Sequence, residues 1–188
     1  GLTMSSSSRV PPGRCLTLHQ PWASLVAYGV KRAEGRVWGL ARGKQVPPGR
    51  LWIHSAAKEM SDEDREAVEE HYRQCYALDR CAPTFPTQYP RSALLGCVDL
   101  VRVVPQDVFQ ALDVSPGVRA ESSSEFVFLC ENPRRLLMPL RAAPGDGGHK
   151  VWQLPSKTLR SALDQMPSPV KQAGVPDVDF TGAVAKFD

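Results

Sequence analysis

Residues 29–36 read Gly29-Val30-Lys31-Arg32-Ala33-Glu34-Gly35-Arg36, a G-x-K-x-x-E-x-R pattern. Charges of mixed sign packed behind a glycine suit a cleft lined for a polar or anionic ligand better than they suit a core. Lys31 can reach Glu34, and Glu34 and Arg36, two apart on an extended segment, share one face. Read as chemistry, Lys31, Arg32 and Arg36 hold a phosphate or a base edge, while Glu34 orients them or accepts from a base amino group. Read as structure alone, the same charges are an ion pair tying a helix end to a strand, an arrangement that adds little stability where it is exposed. Both readings can hold together.

A second set of candidates lies at the start of the last helix expected from the sequence. Lys157 and Arg160 fall in its first turn, where the positive end of the helix dipole disfavours a cation. Beside free backbone N–H groups, with Ser156 as the cap and a further hydroxyl, they form a phosphate site; the plain alternative is two long, exposed side chains. Lys150, His19 and Lys58 complete the basic set. Trp22 sits beside Gln20 and Pro21 at a helix mouth, where it either stacks on a base or packs through its spacing with Leu25 and Val26. Trp38, Trp52 and Trp152 lie in strand-like runs and read as core.

The charge pattern says more than the total. The 188 residues carry a net charge of +3, too small by itself to indicate a nucleic-acid partner. Residues 1–58, however, hold nine lysines and arginines against one acid, and residues 132–171 hold seven against two. Between them, residues 59–131 carry fourteen acids against six bases. If the first and last segments meet in the fold, one face is basic, as a nucleic-acid binder requires. The bland alternative is a solvated surface. The five cysteines, 15, 75, 81, 97 and 130, form no C-x-x-C pair and share no zinc-ligand spacing with the histidines. They read as free thiols, Cys97 and Cys130 as buried ones, and neither a metal nor another cofactor is expected. The sequence shows no bilayer-length apolar run and no signal-peptide succession, the pattern of a soluble intracellular protein.

These side chains need elements to position them. Cys15 to Leu18 reads as a strand, followed by a two-turn helix with Pro21 as its first residue and Gly29 just past its end. Further strands are expected at Gly35–Trp38, Leu51–His54, Ala93–Val104, Glu125–Cys130 and His149–Leu154. Ser61 should cap a long helix from Asp62 to about Leu78, acidic at its start and basic at its end, burying Val68, Tyr72, Cys75 and Tyr76. The last helix begins at Ser156 with Leu159, Leu163 and Met166 on one face. Strands spaced by turns with helices inserted predict an α+β fold, a small mixed β-barrel flanked by helices around one core. Residues 1–13 read as a flexible arm or cleavage scar, 14–171 as the domain and 172–188 as a tail of open order.

Several motifs in order carry a family resemblance: Cys-Leu-Thr-Leu-His-Gln-Pro-Trp-Ala-Ser-Leu at 15–25, the G-x-K-x-x-E-x-R at 29–36, Gly-Arg-Leu-Trp-Ile at 49–53, Leu-Leu-Gly-Cys-Val-Asp-Leu at 94–100, Phe-Val-Phe-Leu-Cys-Glu-Asn-Pro at 126–133 and Lys-Val-Trp-Gln-Leu at 150–154. Together they resemble the ASCH domain of a transcriptional coactivator. The resemblance implies a PUA-like β-barrel, a fold associated with RNA binding, with the G-x-K-x-x-E-x-R segment bordering its cleft. It implies a non-enzymatic, monomeric domain that binds DNA or RNA largely through phosphates with little sequence preference, in a protein that is nuclear or also cytoplasmic. Partners are then nucleic acid and, through a longer parent protein, other subunits of a coactivator complex. Two other classes stay open: a protein-interaction module using the acidic helix or the tail, and an amidohydrolase. Some bacterial members hydrolyse acetylated cytidine with a lysine, a threonine three residues on and a distant glutamate. Lys31 matches that lysine, but the threonine position holds Glu34, which removes the hydroxyl nucleophile.

Overall fold

A computed structural model describes residues 12–41, 43–142, 150–169 and 171–188. The N-terminal arm through residue 11 and His149, the expected first residue of the last strand, lie outside the described residues. In chain order the elements are β1 (Arg14–Leu18), α1 (Trp22–Ala27), β2 (Ala33–Arg36), β3 (Leu40–Ala41), β4 (Lys44–Gln45), β5 (Gly49–Ser55) and α2 (Asp62–Ala77). They continue with β6 (Ala93–Pro105), α3 (Gln106–Ala111), α4 (Pro116–Arg119), β7 (Phe126–Arg141), β8 (Val151–Gln153), α5 (Ser156–Asp164) and α6 (Phe180–Ala185). Six strands form one curled half-barrel sheet in the order β2-β7-β6-β5-β1-β8, and β3 and β4 make a separate small hairpin. The fold is α+β, and β1 lies between parallel β5 and antiparallel β8, so the first and last segments do meet.

Alternation along the strands builds a core on each face. Leu16, Leu18, Leu51 and Ile53 point to one side, where Ala23, Val26 and Ala27 of α1 cover them together with Phe128. Cys15, Trp52, Cys97 and Trp152 point to the other, under Leu159 and Ala162 of α5. Helix α2 packs Tyr72, Cys75 and Tyr76 against Leu25 and Val30. A further cluster joins Ala33, Val104, Phe109, Val118 and Val127 to Phe180 and Val184 of α6. The tail thus packs on the domain through Phe180, Ala183 and Val184, and Phe180 is fully buried.

Local signals explain most boundaries. Ser61 accepts from the Asp64 amide at 3.0 Å and starts α2 as expected. Gly29, at φ +78°, takes the left-handed position past α1, with the Pro133 ring too near for a Cβ. Other expectations are corrected. The second strand runs Ala33–Arg36 rather than Gly35–Trp38, because Ala33 pairs with Leu129 and fills the core while Trp38 leaves the sheet. Helix α2 has no basic side chain in its last turn. Pro155, not Ser156, caps α5: its backbone is extended, its carbonyl accepts the first helical bond from Leu159 at 3.0 Å, and no side chain caps this helix. Strand β7 continues to Arg141, well past Cys130, because β6 pairs with it over most of that length.

Beneath β8 the buried His54 is held in one tautomer. The Ala142 carbonyl can only accept, so His54 Nε2 carries the proton, and Nδ1 accepts from Thr17 Oγ1 at 3.0 Å. That hydroxyl in turn accepts from Trp152 Nε1 at 2.9 Å. Burial holds the imidazole below its ordinary pKa of 6.5, against the raising effect of the Ala142 carbonyl. The unfolded chain then binds the proton first as pH falls, so this group's stabilisation is complete above pH 6.5 and is lost below it. The urea midpoint should drop between pH 7.5 and 5.5, and His54→Gln should flatten that drop relative to its own value at high pH. Phe180→Ala should destabilise the domain by about 3–5 kcal/mol in the same assay, since it empties a core position; an unchanged midpoint would place the tail outside the folding unit.

Candidate functional site

The G-x-K-x-x-E-x-R segment joins α1 to β2 and puts consecutive residues on opposite sides of the backbone. Lys31 turns forward. Its ammonium donates to the Ala33 carbonyl and to the Tyr72 hydroxyl, each at 2.9 Å, and lies 3.4 Å from Glu34 Oε2. Lys31 is only 5% exposed and Glu34 7%, so this is a buried ion pair whose desolvation must be offset by these partners. Glu34 Oε1 lies 3.3 Å from Arg36 Nε, which ties the third charge of the motif to the same carboxylate.

Arg32 turns back. Its guanidinium stacks over the Tyr76 ring at 5.2 Å and donates to the Pro176 carbonyl of the segment leading to α6. Its ion-pair partner is Glu121, whose Oε2 is 3.9 Å from Arg32 Nε. The other Glu121 oxygen accepts from the backbone amides of Arg32, at 2.8 Å, and Ala33, at 3.4 Å. One carboxylate just past α4 thus grips the segment through backbone and side chain. Burial raises the Glu121 carboxyl above its ordinary 4.5, with the Arg32 charge and amide opposing that shift. Burial also holds the Tyr72 phenol well above its ordinary value, reinforced by the charges of Glu121 and Glu34, so it remains protonated beside Lys31.

These residues open onto a cleft of about 490 Å³, within the size range of small-molecule sites. Trp22, Lys31, Glu34 and Gly35 form one wall, His71 of α2 another, and Gln106, Gln110, Arg119 and the Glu121–Ser124 loop close it. Gly35 is needed for close approach: a Cβ there would lie 2.2 Å from Ser124 Oγ and 2.5 Å from Ser122 Oγ. Among the described residues, three buried oxygens in this lining lack a hydrogen-bond partner: Glu34 Oε2, Glu121 Oε2 and Gln106 Oε1. Glu34 Oε2 is within ion-pair distance of Lys31 without the alignment of a hydrogen bond. The lining thus balances Lys31 and Arg119 against Glu34 and Glu121 rather than presenting one sign.

The structure brings Lys31, Glu34 and Trp22 together in this cleft, with Arg36 attached through Glu34. Arg32 instead lines a separate pocket of about 400 Å³ beside Pro133 and Pro176. His19 and Lys58 line a smaller neighbouring pocket of about 260 Å³, which shares Trp22 with the cleft. Lys150 lies over the Trp38 ring at 5.4 Å. Ser156, Lys157 and Arg160 are exposed on α5, the helix that packs on the opposite sheet face from α1. Missing from the sequence reading are Tyr72 as the Lys31 acceptor, His71, Gln106, Arg119 and above all Glu121. The Ser115-Pro116 start of α4, with Ser115 Oγ accepting from Val118 N at 3.4 Å, is a legible helix signal just upstream of that residue.

Comparison with known proteins gives the chain its relatives. The ASCH domain family model matches residues 16–139. Activating signal cointegrator 1 of Mus musculus and that of Homo sapiens are each 39% identical over 150 residues, covering 80% of this chain. The chain spans 24% of the length of either relative. Among solved structures, ASCH from Zymomonas mobilis matches with a TM-score of 0.48 and 12% identity over 82% of this chain and 96% of its own. A serine-to-alanine point mutant of ZmASCH from that organism matches with a TM-score of 0.44 and 12% identity over 84% of this chain and 100% of its own. With a family model matching across most of its sheet, the chain belongs to the ASCH domain family.

Proposed function

We propose that this ASCH domain binds nucleic acid, with a nucleotide entering the cleft beside Lys31. The observation that carries the reading is the acceptor-rich lining. The Glu34 carboxylate and the Gln106 amide oxygen repel phosphate but suit the amino and imino donors of a base edge, while Glu121, fully buried behind them, stays committed to Arg32 and the amides of residues 32 and 33. Phosphates are then held at the margin by Arg36, which is 27% exposed at its side chain, and by Arg119. Backbone contact supplies most of the affinity, with base contact inside this pocket. Likeness to activating signal cointegrator 1 supports a non-enzymatic role in a nuclear coactivator, with other subunits of the cointegrator complex as partners of the parent protein. The hydrolase reading has Lys31 but lacks a hydroxyl in place of Glu34, whose carboxylate instead pairs with that lysine.

The domain should bind labelled mixed-sequence DNA or RNA 12-mers in fluorescence anisotropy, with affinity falling steeply as salt rises. Arg36→Glu should weaken binding by about tenfold, whereas Lys157→Glu/Arg160→Glu, on the other sheet face, should leave it within about twofold. Absence of binding by every polymer at low salt would end the nucleic-acid reading. Glu121→Ala leaves two amides and Arg32 uncompensated, so it should cost about 3–5 kcal/mol of stability in urea unfolding. Loss of less than about 1 kcal/mol would show that the grip on residues 32 and 33 is dispensable.

A further inference from the structure

Trp22, at the start of α1, is 38% exposed, although Ala23, Leu25 and Val26 of the same helix are buried. Trp52 and Trp152, by contrast, are buried and donate their indole N–H groups to Pro12 and Thr17. The core does not enclose the Trp22 ring, and the ring borders two cavities at once: the cleft of Lys31 and Glu34, and the pocket of His19 and Lys58.

Helix α2 runs past both cavities. Asp64, Ala67 and Val68 line the second and His71 lines the first, an i, i+3, i+4, i+7 set that forms a single helix face. At 1.5 Å per residue that bank is about 10 Å long. The two cavities therefore lie in succession along α2 and share Trp22 as a lining residue.

Resting on the nucleotide reading of the cleft, we infer that the two cavities form one groove that takes a single strand, two consecutive nucleotides straddling Trp22 with the indole between their bases. Stacked bases rise about 3.4 Å, and an inserted ring doubles the step to about 7 Å, which the bank accommodates. Each compartment carries the same division of labour. Glu34 in one and Glu59 and Asp64 in the other are acceptors for base donors, while Arg36 at one end and Lys58 and His19 at the other face the backbone. A duplex cannot enter without unpairing and unstacking, at a cost of a few kcal/mol per step.

The test is anisotropy with fluorescein-labelled 12-mer single strands of mixed sequence and the matching duplexes, against the wild type, Trp22→Ala, Trp22→Phe and Arg36→Glu. The single strand should bind at least about tenfold more tightly than the duplex; loss of one stacked base step should make Trp22→Ala about five- to hundredfold weaker, with Trp22→Phe retaining most affinity. Unlabelled dinucleotide should quench a component of the intrinsic fluorescence that Trp22→Phe lacks. Binding that depends on Arg36 but not on Trp22, or equal affinity for duplex, overturns the single-strand inference and leaves the cleft reading standing. No quenching by dinucleotide overturns it independently of any effect of the alanine variant on folding. Absence of binding by every polymer overturns both.

Discussion

The arrangement of this domain depends on neutralising charges inside it. Lys31, Arg32, Glu34 and Glu121 are all less than a tenth exposed, and none of them is stable there alone. Each ion is paired: Lys31 with Glu34 on the cleft side, Arg32 with Glu121 behind it. Because Lys31 and Arg32 are adjacent, the backbone between them must be fixed tightly enough to serve both pairs. The Glu121 carboxylate does this by accepting from the amides of residues 32 and 33. Its own burial is made tolerable by the same contacts, which is why the loop after α4, the end of α1 and the start of β2 form one mechanical unit.

Several parts of this unit depend on the rest of the fold. Tyr72 can reach Lys31 only because α2 packs on α1 through Tyr72, Tyr76, Leu25 and Val30. Arg32 can turn backward only because the segment before α6 supplies the Pro176 carbonyl and Tyr76 supplies an aromatic face. Phe180 anchors that segment in the cluster containing Ala33, so the last helix supports the motif from below although it lies outside the matched family region.

Local signals in the sequence were strong where one residue decides the geometry. Gly29 past the end of α1, Ser61 at the start of α2 and the strand at Leu51–His54 all read correctly. Where a tertiary contact decides, the local pattern misled. Gly35-Arg36-Val37-Trp38 reads as a strand, yet Ala33 takes the core position and Val37 is left exposed. Ser156 is a good capping residue, but the extended backbone of Pro155 already occupies that place. Glu121 was hidden by sequence distance: it is 89 positions from the Arg32 amide it holds, and it stands at the head of a serine run that resembles a linker.

Charge counting shows the same limit from another side. The basic first segment includes Arg14, whose guanidinium is buried and donates to the carbonyls of Pro47, Gly49 and Arg50, with burial lowering its pKa to about 10. Arg14, Lys31 and Arg32 are therefore spent on holding loops and compensating acids, and add little to the outer field. What remains at the cleft is a lining of both signs, with Arg36 partly exposed beside it and Arg119 donating to the carbonyls of Leu112 and Val114. A uniformly basic groove would present one sign throughout, whereas this lining sets Lys31 and Arg119 against Glu34 and Glu121.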